Sequence, residues 1–80
     1  MPTLDQLTPG QSAAVEAIGG EASLVQRLYE LGLFEGETVE VVAFAPLGDP
    51  VEIRVGATRL SLRRREAAAV TVGPVRFQSG

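Results

Sequence analysis

Arg59, Arg63, Arg64 and Arg65 stand close together in the second half of this chain, and Glu35, Glu37 and Glu40 stand close together near its middle. An arginine cluster can neutralise phosphates, which raises nucleic-acid binding as a function. Following an alternating strand, however, these arginines splay in several directions, and Glu66 and neighbouring acids can pair with them. The chain is acidic overall, with a formal net charge of -3 and few aromatic residues to stack bases. No nucleic-acid partner is therefore expected. The three glutamates flank a turn and a strand, where solvation keeps carboxylates ordinary. Histidine and cysteine are absent, and Ser12, Ser23, Ser61 and Ser79 have no evident basic partner. Lacking a base or an activated nucleophile, the chain is not expected to be an enzyme. A carboxylate-only cluster would bind a transition metal ion weakly and unselectively, so no metal site and no cofactor are expected. What remains is recognition of another protein through loops and grooves.

The elements that position such a surface must be built from 80 residues without a disulfide. That is one small domain held by packing, with a stability on the order of 3 to 5 kcal/mol. No apolar run approaches the roughly 20 residues of a membrane span, and Met1-Pro2-Thr3-Leu4-Asp5 lacks the pattern of a signal peptide, so a cytoplasmic protein without direct membrane insertion is expected. Residues 1 to 40 hold seven acids against Arg27, whereas residues 41 to 80 hold three acids against six arginines. Such asymmetry is either a solvated surface or a dipole that orients a partner.

Ser23 to Leu33 carries both a start and a stop signal for a helix. Ser23 and Gln26 fit a capping box, and Leu24, Leu28 and Leu31 fall on one stripe with Val25 beside them. Gly32 stands where a helix ends in the left-handed conformation, with Leu33 returning onto Leu28. Strand patterns surround this helix. Leu4 and Leu7 are expected to plug the core from a helical turn. Ser12 to Ile18 reads as a strand with a bulge, because Val15 and Ile18 are an odd number apart. Gly36 suits a tight turn, and Thr38 to Ala45 alternates apart from Phe44, which reads as core through a strand twist or as part of an exposed patch. Val51, Ile53 and Val55 alternate, as do Leu60 and Leu62. Arg63 to Glu66 suggests one 3₁₀ turn before alternation resumes over Ala68, Val70 and Val72; beyond Gly73 the tail is an edge extension with a frayed end. Five short strands and one helix avoid long exposed edges by curling into a small closed or nearly closed barrel.

On this scaffold Leu47, with Gly48 and Asp49, forms the tip of a hairpin loop bracketed by Pro46 and Pro50. Two prolines limit the entropy lost when the tip is immobilised, which makes Leu47 the first candidate contact. The other reading of Leu47 is a leucine folded over the barrel mouth. Arg27 and Tyr29 on the helix come second, being residue types favoured at interface hot spots, although Tyr29 is equally suited to cover the barrel's end. The turn carrying Arg63 and Arg64 comes third.

Arg27-Leu28, Leu31-Gly32-Leu33 with Gly36, the run Ala45-Pro46-Leu47-Gly48-Asp49-Pro50, and Leu60-Ser61-Leu62-Arg63-Arg64-Arg65-Glu66-Ala67 together resemble the ferrous-iron transport protein A (FeoA) family in order and spacing. Glu35 departs from the family's frequent proline before the turn glycine, which weakens pre-organisation of that turn. The resemblance implies a mainly β fold, a five-stranded Src-homology-3-like barrel with a short α-helix inserted between the first two strands, over residues 1–74, with 75–80 as a C-terminal tail. It further implies a bacterial cytosolic accessory protein of ferrous iron uptake whose partner is the membrane GTPase permease of FeoB type. Domains of this kind also occur as appendages of metal-dependent repressors. Homo-oligomers through barrel edges stay open as a further association.

Overall fold

The computed structural model describes residues 1–77. The chain begins with a 3₁₀ turn over Leu4–Gln6 that buries Leu4 and, just beyond it, Leu7. These leucines plug the core as their spacing anticipates. Strand β1, Gln11–Ile18, then carries a register shift between Val15 and Ala17, so the odd spacing of Val15 and Ile18 is accommodated by an irregularity at Glu16.

Helix α1 spans Ala22–Glu30, two residues ahead of the start that Ser23 and Gln26 suggested. No Ser23–Gln26 capping box forms. Gly20, at φ +96°, turns the chain early, so Glu21 becomes the N-cap and its carbonyl accepts the first helical hydrogen bond from the Val25 amide. The other end follows the sequence pattern closely. Gly32 lies at φ +99°, its amide donates to the Tyr29 carbonyl at 3.0 Å, and the Leu33 amide donates to the Leu28 carbonyl at 3.0 Å. This is a Schellman ending, with Leu28 and Leu33 both fully buried in one cluster. Leu24 and Leu31 pack at its margin.

Strands β2 (Thr38–Phe44), β3 (Val51–Val55) and β4 (Thr58–Leu62) form an antiparallel meander. Their alternating valines, isoleucine and leucines supply much of the core, including Val39, Val41, Val51, Ile53 and Leu62. A register shift between Val41 and Ala43 explains the phase of Phe44. After Val42 the side chains change face, so Phe44 lies opposite buried Val51 and packs against the core. The expected strand twist is thus a bulge.

Two details of the next segment differ from the sequence reading. Residues Arg64–Ala67 form a turn of α-helix, α2, where a 3₁₀ turn was expected. The amides of Ala67 and Ala68 donate four residues back, to Arg63 and Arg64, while the Glu66 carboxylate accepts from the Arg63 amide at 2.8 Å and closes the turn. Alternation resumes only at β5, Val70–Val72, because the chain is still leaving the helix at Ala68; Ala67 is buried in its place and Ala68 is exposed. Strand β6, Arg76–Phe77, extends one edge of β1. The frayed end expected of the tail falls on residues 78–80, outside the described residues.

The sheet runs in the order β4-β3-β2-β1-β5, with β6 also on β1. This is the mainly β architecture read from the sequence, with α1 between the first two strands; the path stops short of joining β4 to β5, so the barrel is not closed. Beside β5, Thr3 bridges to Thr71 and the Val72 amide donates to the Pro2 carbonyl, tying the N-terminus to the far end of the sheet.

Candidate functional site

The loop between β2 and β3 is built as a closed hairpin. The Ala45 amide donates to the Pro50 carbonyl at 3.0 Å, and the Gly48 amide donates to the Ala45 carbonyl at 2.7 Å. Gly48 has φ +84°, a conformation that glycine adopts without steric cost. Leu47 sits at the tip and is 97% exposed, so it does not fold over the barrel mouth.

Arg64 reaches this loop from α2. Its backbone amide donates to Asp49 Oδ1 at 2.9 Å, its Nε donates to the Gly48 carbonyl at 3.0 Å, and its Nη1 donates to the Asp5 carbonyl at 2.9 Å. The guanidinium also lies over the Phe44 ring, 4.9 Å from its centroid. Arg63 adds a longer ion pair to Asp49 at 3.9 Å. Gly48, Asp49, Arg63 and Arg64, candidates from two separated stretches of sequence, are therefore assembled around one loop. Arg59 pairs instead with Glu52 at 3.0 Å across β3 and β4. Arg65 faces a cleft of about 540 Å³ at the start of α1, lined also by Gly20, Ser23, Leu24 and Ala69.

The two helical candidates lie apart from each other. Arg27 pairs with Glu66, whose side chain is 5% exposed while that of Arg27 is 56% exposed. Arg27 is thus a structural partner of α2, and the burial of Glu66 was not anticipated; its position three residues after Arg63 is the local signal that could have found it. Tyr29 is half-buried and stacks on Phe34 with ring centroids 5.6 Å apart. Its hydroxyl donates to Glu35 Oε2 at 2.7 Å. That hydrogen bond holds the Glu35 carboxyl below the usual range and pushes the Tyr29 hydroxyl up. Glu35 is consequently not the ordinary solvated carboxylate that its turn suggested. Glu40, for its part, is paired with Arg54. Among the described residues, no three or more Asp or Glu side chains gather as a metal site would require.

The FeoA domain family model matches residues 3–74. The Fe(2+) transport protein A/Fe(2+) transporter FeoB fusion protein of Porphyromonas gingivalis is 38% identical over 69 residues, which cover 86% of this chain and 8% of the fusion protein. The chain therefore spans less than a tenth of that relative's length. Among solved structures, the zinc-complexed FeoA of Stenotrophomonas maltophilia, a prokaryotic SH3 domain protein, superposes with a TM-score of 0.85 at 35% identity, covering 99% of this chain and 100% of that one. FeoA of Chlorobium tepidum superposes with a TM-score of 0.83 at 37% identity, covering 99% of this chain and 72% of that one. The motifs that frame the clamped loop and the helix ending thus sit within a match that extends over nearly the whole domain, and this chain belongs to the FeoA family.

Proposed function

We propose that this chain is a non-enzymatic accessory protein of ferrous iron uptake that binds the cytosolic part of a FeoB-type GTPase permease and supports its assembly or activity. The observation that carries this reading is the fusion: in the Porphyromonas gingivalis protein an FeoA-like segment shares one polypeptide with FeoB. Fusion holds two partners at high effective concentration, so a separate chain has to supply through affinity what the linker supplies there. No helix among the described residues is long and apolar enough to cross a membrane, which suits a partner that reaches the permease from the aqueous side. The residue types support binding rather than catalysis.

Leu47 is the contact we assign first. It is the most exposed large apolar side chain among the described residues, and its loop is closed by hydrogen bonds before any partner arrives. Fully burying a leucine contributes about 1.5–3 kcal/mol, so Leu47→Ala is expected to weaken permease binding roughly tenfold or more. Thermal stability should hardly change. Tagged protein drawn through membranes of its own host should retain the permease, and the Leu47→Ala variant should retain far less. Recovery of other proteins in place of the permease, or uptake of ferrous iron that is unchanged in a deletion strain under iron limitation, would end the transport reading. Equal affinity for both variants would remove Leu47 from the interface. Nucleic-acid binding is the weaker reading, since Arg59 and Arg63 pair with acids and Arg64 is engaged by carbonyls.

A further inference from the structure

We infer that Arg64 is a latch that presents Leu47 to the partner in a single preformed geometry, so that binding depends on an arginine that need not touch the partner at all. This rests on the reading of Leu47 as the contact. The physical case begins with the loop itself. Its two internal hydrogen bonds close the hairpin but do not fix how the hairpin leans relative to the barrel. Arg64 does that. One side-chain donor, Nε, holds the Gly48 carbonyl, adjacent to Leu47, and a second, Nη1, holds the Asp5 carbonyl in the 3₁₀ turn. The stem of the loop is fixed at the same time, because the guanidinium lies over Phe44, the last residue of β2. Backbone joins in as well, with the Arg64 amide donating to Asp49 on the other side of the tip.

Arginine suits this task in a way lysine does not. Its planar fork offers donors in fixed directions, so one side chain reaches two carbonyls while its face covers an aromatic ring. An ammonium has one centre and no face. Both carbonyls are backbone groups, so the latch requires no particular side chain at positions 5 or 48 beyond the glycine that the turn needs. With the latch open, the tip samples several orientations, and a partner that accepts only one must bear the ordering cost. The occupant that fits a single rigid leucine knob is a concave apolar socket on the cytosolic part of the permease.

The test is a double-mutant cycle on binding to the purified permease, combined with amide hydrogen exchange on this chain. Arg64→Lys is expected to weaken binding about tenfold and to speed exchange at Gly48, while the core amides of β2 and β3 stay protected. In a Leu47→Ala background the same Arg64→Lys change should have almost no further effect, because the latch works only through the knob. Asp49→Ala, which removes the other tether, should act in the same direction and covers the case in which Arg64→Lys folds poorly. Additive losses for Arg64→Lys and Leu47→Ala would show that Arg64 contacts the partner directly and would overturn the latch. So would faster exchange at Gly48 with unchanged affinity. Were Leu47→Ala itself without effect on binding, the interface assignment would fall, whereas the exchange result at Gly48 would still report whether Arg64 holds the loop.

Discussion

Replacing Arg27 with methionine removes a positive charge from the surface but should act through a carboxylate in the interior. Glu66 is 4% exposed as a residue, and its two oxygens accept from the Arg63 amide and from Arg27. The two ends of the ion pair are unequal: the Arg27 side chain is 56% exposed and that of Glu66 is 5% exposed. Losing Glu66 returns a guanidinium to water at little cost, whereas losing Arg27 leaves a buried carboxylate with one hydrogen bond and without its ion-pair partner. A fully buried pair broken in this way costs about 3–5 kcal/mol, and a surface pair about 0–1 kcal/mol. With one end wet, Arg27→Met should cost about 1–2 kcal/mol, with the aliphatic stem kept so that packing is not confounded. Glu66→Gln should cost less than about 1 kcal/mol, because the amide oxygen still accepts from the Arg63 amide. The double variant is the decisive member of the set. It should be more stable than Arg27→Met alone, since neutralising position 66 removes the stranded charge. For a domain of this size about 1–2 kcal/mol corresponds to roughly 5–15 °C in melting temperature, well within reach of a circular dichroism melt. A double variant no more stable than Arg27→Met, or a Glu66→Gln variant less stable than Arg27→Met, would refute the inequality on which the reasoning stands.

Two further outcomes test the helix and the turn that follows it. Gly32→Ala should cost about 1–2 kcal/mol for the left-handed backbone alone, because an added Cβ at φ +99° would meet no atom within 4 Å; an unchanged melt would mean the helix ends otherwise. The Tyr29–Glu35 hydrogen bond lowers the carboxyl pKa and raises the hydroxyl pKa. Its contribution through Glu35 is therefore present above the unfolded-state value and lost as pH falls through the lowered folded one. Through Tyr29 it is present below the usual value of 10.0 and lost as pH rises through the raised folded one. Tyr29→Phe should bring the Glu35 titration back toward the ordinary range in an NMR titration, and an unmoved Glu35 midpoint would show that the hydrogen bond does not set it.

What the sequence made legible was whatever depends on neighbours a few residues away. Gly32 and Leu33 define a Schellman ending through contacts no farther than Leu28, and the odd spacing of Val15 and Ile18 announced an irregularity that the strand indeed contains. The same local logic failed at Ser23 because a competing local signal, the positive φ of Gly20, started the helix earlier. Phe44 was visible as an anomaly but not as a bulge, since only the partner strand reveals that Val42 is the extra residue. Distance in the chain explains the rest. Glu66 meets Arg27 across 39 positions, and Arg64 meets Gly48 across 16 and Asp5 across 59. Two of those acceptors are backbone carbonyls, which every residue carries and no residue type advertises.

The proline-bracketed loop and the arginine run therefore stood in the sequence as two separate contact candidates, the second of them also weighed as a phosphate-binding patch and set aside. In the folded chain they are one object. Phosphate recognition requires guanidinium donors that face outward, and two donors of Arg64 face inward to carbonyls while its face lies on Phe44. At the tip of the loop that Arg64 holds stands Leu47, 97% exposed. On the proposal that Leu47 is the contact, Arg64 matters through the loop it holds rather than through the charge it carries.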